Sequence, residues 1–112
     1  MKIDTMSIKR ENATIAINTF KEKFHPPFEY DSKSGNLKIL VLDKYDFFRT
    51  NSNLAVTLLF DLESVDVCNI KIIVAGGGRG MLQFDMGAEN SLLNKIKKFF
   101  EKYGYEDQLK KA

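Results

Sequence analysis

The 112-residue sequence predicts an α+β fold: a two-layer sandwich in which an antiparallel meander sheet of four to five strands carries an N-terminal and a C-terminal helix on one face. Three observations lead there. Apolar residues alternate from Leu54 to Leu62 and again from Cys68 to Ala75, which is the period of a strand. They recur every three or four residues from Ala13 to Phe24 and from Leu92 to Tyr103, which is the period of a helix. Between these patterns lies Ala75-Gly76-Gly77-Gly78-Arg79-Gly80, where glycine permits positive φ and close backbone approach.

Composition sets the bounds. With 44% hydrophobic and 29% charged residues, the chain is a globular one, long enough for a single domain over residues 1–112 whose core needs no disulfide or metal. Cys68 has no second cysteine to pair with. Met1-Lys2-Ile3-Asp4 begins no apolar signal stretch, so a cytoplasmic location is expected. The best apolar runs, Ala55 to Phe60 and Ile70 to Ala75, have strand length and fall far short of the roughly 18 residues that cross a membrane.

Weak alternation from Lys2 to Ile8 predicts an opening strand, and Asn12 is placed to cap the first helix. Ala13, Ala16, Ile17, Phe20 and Phe24 form that helix's apolar stripe, and His25-Pro26-Pro27 ends it, because the residue before a proline is pushed out of helical geometry. Asp31 to Asn36 is turn chemistry leading into an aliphatic strand, Leu37 to Leu42. A loop from Asp43 to Asn53 holds Tyr45, Phe47 and Phe48, rings that need a docking place. Two hairpin-linked strands follow, Leu54 to Leu62 and Cys68 to Ala75.

The glycines then read as a hairpin turn into a further strand, Met81 to Met86, with Gly87-Ala88-Glu89-Asn90 opening the second helix and Gly104 capping it. Residues 104–112 are a tail expected to fray. The resulting sheet has one polar side and one side covered by both helices, and its rings are expected to converge on the covered side. They fill the core there, or they border an apolar cavity between the layers.

No residue set carries a reaction. Catalytic residues, metal ligands and cofactors are assigned to none of the positions. Cys68 falls on a core-facing strand position, where burial raises a thiol pKa. His25 is the single histidine, too few for a zinc cluster or a serine triad. Asp85 and Glu89 beside Gly87 offer fewer oxygens than a calcium loop needs.

Gly76, Gly77, Gly78, Arg79 and Gly80 are the candidate anion or ligand site, since consecutive amides form a concavity for anions and Arg79 adds a bidentate donor. They match neither the phosphate-loop nor the dinucleotide signature, which require the glycines to open a helix after a strand, so the plain turn is the favoured reading. Net charge is only +2, with Lys95, Lys97, Lys98, Lys102, Lys110 and Lys111 near the C-terminus; complementing a helix end explains them, and nucleic acid is disfavoured as a partner.

From Val65 to Phe100, the strand, the Gly76 to Met81 turn, the apolar strand and the Gly87 helix start resemble a family of small uncharacterised microbial proteins, a domain of unknown function with a Gly-rich hairpin turn before a C-terminal amphipathic helix. The resemblance implies a fold and no activity, and Tyr45 to Arg49 departs from it. The expected function is therefore a non-enzymatic binding or interaction module, homodimeric or with an unknown protein partner and without membrane insertion. The alternative is a small-ligand binder or enzyme using a helix–sheet pocket with Arg79 as its anion anchor.

Overall fold

A computed structural model describes residues 1–43, 54–75 and 82–104. Five antiparallel strands, β1 (Lys2–Lys9), β2 (Phe28–Asp31), β3 (Leu37–Asp43), β4 (Ala55–Asp61) and β5 (Val67–Ala75), form one sheet in the order β1-β5-β4-β3-β2. The helices are α1 (Ala13–Phe24) and α2 (Leu82–Glu101). The expected α+β arrangement with an N-terminal and a C-terminal helix is what the chain adopts.

Two elements differ from the sequence reading. Phe28–Asp31 is a fifth strand at the sheet edge; four residues after a double proline leave a short alternating signal, and the strand is held by pairing with β3. The strand expected at Met81 to Met86 does not exist, because α2 already begins at Leu82. Six residues of alternation satisfy two periods at once: Leu82 and Met86 also continue the spacing of Leu93, Ile96 and Phe100, and leucine, glutamine and methionine are strong helix formers. Gly87 therefore lies inside a helix, where it costs about 1 kcal/mol relative to alanine.

Two of the described chain reversals fit their sequences closely. Between β2 and β3, the Gly35 amide donates to the Ser32 carbonyl at 3.0 Å and Gly35 takes φ of 81°, which only glycine adopts freely. At the end of α1, His25 has φ of 50° and its amide reaches the Lys21 carbonyl at 2.9 Å, a left-handed helix stop before Pro26.

One face of the sheet carries Ile8, Leu40, Leu42, Val56, Leu58, Phe60, Cys68, Ile70, Ile72 and Val74, all buried against Ala16, Ile17 and Phe20 of α1 and Leu92, Leu93, Ile96 and Phe100 of α2. Rings meet in this layer: Phe100 stacks on Phe20 at 5.3 Å and stands edge-on to Phe60 at 5.8 Å. An ion pair closes each margin. Lys97 of α2 holds Asp4 of β1 at 2.6 Å, while Lys21 of α1 and Lys38 of β3 hold Glu29 of β2 at 2.9 and 2.6 Å. Of the rings expected on this side, Phe60, Phe99, Phe100 and Tyr103 are there; Tyr45, Phe47 and Phe48, and the side chain of Phe84, lie outside what the structure describes.

Two caps also differ from expectation. Asn12 precedes α1 but does not cap it with its side chain; its Nδ2 donates instead to the Tyr103 carbonyl at 2.9 Å in a buried contact that joins the two ends of the fold. Gly104 does not take a left-handed φ. A Cβ there would come within 3.3 Å of the Ser7 carbonyl, so the glycine permits close approach of the C-terminal turn to β1.

Candidate functional site

Among the described residues no element covers the second face of the sheet, and that face is not polar, contrary to the sequence reading. Strand register places directly opposed residues on the same side. Ile3, Ile73, Thr57, Val41 and Phe28 therefore form one line across all five strands, and Thr5, Lys71, Leu59, Ile39 and Tyr30 form the next. A third line, Ser7, Asn69, Asp61 and Leu37, is mostly polar.

Seven apolar or aromatic side chains thus share two adjacent lines. Ile3, Phe28 and Tyr30 at the margins are 55%, 52% and 48% exposed, and Ile39, Val41, Leu59 and Ile73 between them are half-buried. On the covered face, Leu40, Leu58 and Ile72 are 0% exposed. The difference is that, among the described residues, the helices pack on one face only.

The third line borders a recess of about 440 Å³ lined by Thr5, Leu37, Leu59, Asp61, Asn69 and Lys71 together with the Ser32 to Asn36 turn. Its polar groups are partly engaged with one another, the Ser7 hydroxyl donating to Asn69 Oδ1 at 2.6 Å. The arrangement offers apolar contact over a broad area, with hydrogen-bonding groups confined to one border.

The other sequence candidates fall elsewhere. Gly76 to Gly80, including Arg79, lie outside the described residues. Their connectivity is nonetheless fixed: β5 ends at Ala75 and α2 starts at Leu82, so they link a strand to a helix, and the hairpin-turn reading fails for want of a following strand. Cys68 is buried under the helices, and burial pushes its thiol up to about 11, away from nucleophilic chemistry. His25 sits exposed at the end of α1. Among the described residues, no three His, Cys, Asp or Glu side chains gather to hold a metal, and no helix is long and apolar enough to cross a membrane.

Sequence reasoning gave the open face as polar because its apolar belt is assembled across strands: Ile3 and Ile73 are neighbours only through pairing of β1 with β5. The detectable signal was Leu37 to Leu42, apolar at nearly every position rather than at alternate ones. Residues 5–104 match the profile of a family of unknown function, DUF6054, which agrees with the resemblance to a domain of unknown function and extends it well beyond the last third of the chain. Comparison with curated proteins and with solved structures returned no match.

Proposed function

We propose, for a chain that belongs to the DUF6054 family of unknown function, that it is a non-enzymatic interaction module whose open sheet face packs against a second copy of itself. The observation that carries this reading is the apolar belt of Ile3, Ile73, Val41, Phe28, Leu59, Ile39 and Tyr30 on an uncovered face. Contiguous exposed apolar surface of this kind marks interfaces in otherwise polar proteins.

Its size and charge fit a two-fold pair. Five strands about 4.8 Å apart, with the two lines taking up about four residues of each strand at about 3.3 Å, give roughly 300 Å² per copy and roughly 600 Å² for two, the size of a weak, transient interface. In a two-fold arrangement the same patch meets itself. Lys71 and Asp61, diagonal neighbours on β5 and β4, give the border both signs of charge, so self-pairing brings opposite charges within reach. The small area supports a concentration-dependent dimer rather than an obligate one.

Light scattering coupled to size exclusion, from about 1 to about 200 μM, covers the weak association of a transient pair. The wild type should shift from monomer toward dimer, and Leu59→Asp, at the centre of the belt, should stay monomeric while keeping the wild-type circular dichroism spectrum. A wild type that remains monomeric throughout, or a Leu59→Asp variant that dimerises equally, overturns the proposal.

A second reading is favoured by the strand-to-helix connectivity of Gly76 to Gly80, the order in which glycine amides and a helix start bind anions. Arg79 is then the anchoring cation of a small-anion site. Isothermal titration with inorganic phosphate should show saturable binding that Arg79→Ala abolishes; equal binding by the variant would eliminate this reading.

A further inference from the structure

At the margin of the sandwich, where α1 meets the turn between β2 and β3, lies a recess of about 210 Å³ that shares no residue with the apolar belt of the open face. Arg10 enters it from the single turn Arg10–Asn12 that leads into α1, and Ala13, Thr14 and Ile17 follow at steps of three and four residues along one side of the helix. Lys38 of β3 and Leu62, just beyond β4, form the opposite side. Backbone hydrogen bonds fix both walls. The Arg10 amide donates to the Asp66 carbonyl at 3.0 Å, and the Leu62 amide donates to the Asn36 carbonyl at 2.8 Å, which ties the β2–β3 turn to the end of β4.

Arg10 gives the recess its chemistry. Its half-buried side chain donates from Nε to the Leu62 carbonyl at 3.4 Å, a long contact for such a bond, and among the described residues no other hydrogen bond or ion pair engages the guanidinium. Four of its five N–H donors, those on the two Nη atoms, are therefore left for a partner. Lys38 also borders the recess, but its ammonium is held by Glu29 and Asp31 at 2.6 and 2.7 Å. No Asp or Glu is among the described residues that line the space. The charge of Lys38 is answered within the protein, and that of Arg10 is not. Securing the Leu62 carbonyl does not account for this, since a neutral donor would serve.

The remaining walls are apolar. Ala13 and Ile17 are buried and Leu62 is half-buried, while the exposed Thr14 and Asn18 stand at the rim. At about 30 Å³ per water molecule the space equals about seven waters, so it admits a molecule of about that many non-hydrogen atoms. The planar fork of an arginine matches the two oxygens of a carboxylate, and the Thr14 hydroxyl is a further donor for a lone pair that the fork leaves.

We infer that this recess binds a small monocarboxylate with a short branched aliphatic chain, its carboxylate held end-on by the two Nη atoms of Arg10 and its chain against Ile17 and Leu62. One negative charge answers the one unpaired cation of the recess, where the more highly charged phosphate group finds no second. Because the backbone of Arg10 and its Nε are anchored before a ligand arrives, little freedom is lost on binding. The site rests neither on the open-face reading nor on Arg79.

Nuclear magnetic resonance titration of the isotope-labelled full chain with sodium 3-methylbutanoate, at about 20 mM salt where screening is weak, tests the inference. Saturable shifts are expected at the amides of Thr14, Asn18, Gly35 and Leu62, with a Kd of about 1 mM or tighter. Two further ligands separate charge from shape: 3-methylbutanamide keeps the chain without the charge, acetate keeps the charge without the chain, and each should bind at least about tenfold more weakly. Arg10→Lys, which keeps the charge and removes the fork, should weaken the acid at least about fivefold with an unchanged melting curve, while Arg79→Ala leaves it as it is. The comparison of ligands is read on the wild type, so it decides the matter even where Arg10→Lys disturbs folding. Absence of saturable shifts at these amides, an amide or acetate that binds as well as the acid, or equal binding by folded Arg10→Lys overturns the inference. So does tighter binding of orthophosphate at the same amides, which would make the recess a phosphate site.

Discussion

Phe99 and Phe100 are consecutive residues of α2, yet the structure gives them very different energetic weight, and replacing each by alanine measures how the helix is seated. Phe100 is 0% exposed, stacked on Phe20 at 5.3 Å and edge-on to Phe60 at 5.8 Å, with Leu58, Ile70 and Ile96 in the same core. Truncating a buried phenylalanine removes its transfer free energy and leaves a cavity, about 3–5 kcal/mol together. Two ring partnerships from other elements, each worth about 0.5–1.5 kcal/mol, put Phe100→Ala at the upper end of that range. Phe99 is half-buried, and its ring already faces water and two lysines, so Phe99→Ala should cost about half as much or less. Urea denaturation followed by circular dichroism gives both values. For a domain whose total stability is typically about 5–15 kcal/mol, Phe100→Ala should be marginally folded, whereas Phe100→Leu, which keeps most of the volume, should lose about 1.5 kcal/mol or less. A larger loss at Phe99 than at Phe100 would mean that α2 is rotated by about 100° from its position here, and the account of the core would fail.

Asn12→Leu should cost about 1–3 kcal/mol in the same assay, because it leaves the buried Tyr103 carbonyl without its donor at 2.9 Å; a neutral effect would show that this carbonyl finds another partner. Cys68 should react with a thiol reagent at neutral pH orders of magnitude more slowly than in urea, since it is buried and its pKa rises from 9.0 to about 11; rapid labelling of the native protein would contradict its place in the core. The hydrogen bond from Lys38, with that from Lys21, holds the Glu29 carboxyl below its ordinary value, and Lys97 does the same for Asp4. A depressed folded-state pKa gives stability that is present above the unfolded value and lost as pH falls through the folded one, so stability should decline below about pH 4.5. Lys38→Gln should flatten that decline; an unchanged acid profile would remove Glu29 as its source.

Much of the fold was legible because burial imposes a period that single residues reveal. Ala16, Ile17 and Phe20 keep the helical spacing, Val56, Leu58 and Phe60 keep the strand spacing, and all six are buried where those periods place them. The misreadings arose where a segment was too short for its period to discriminate. Phe28–Asp31 alternates over four residues only, and Leu82 to Met86 satisfies strand and helix patterns alike, so pairing with β3 decides the first and continuity with α2 decides the second. Sheet order was illegible for a different reason. β1 pairs with β5 across more than sixty residues, Ser7 opposite Asn69, and no local propensity encodes such a partner.

The open face follows a stricter logic. A strand covered on one side and wet on the other alternates, whereas a strand covered on both sides is apolar throughout. β5 obeys the first pattern at Asn69 and Lys71, both exposed, opposite Ile70 and Ile72, both buried. β3 obeys the second: Leu40 and Leu42 are buried beneath the helices, while Leu37, Ile39 and Val41 face the other way with the same aliphatic character. Folding of one copy requires only the first set, since the helices already complete that core. The second set, continued by Leu59 on β4 and by Phe28 and Tyr30 on β2, carries the composition of an interior on a face that no other described element covers. The polar border at Ser7, Asn69 and Asp61 marks where that interior composition stops, so a charge introduced at Leu59 tests the covered region and a substitution at Ser7 lies outside it. The proposed association through this face would supply the second layer that β3 is composed to meet.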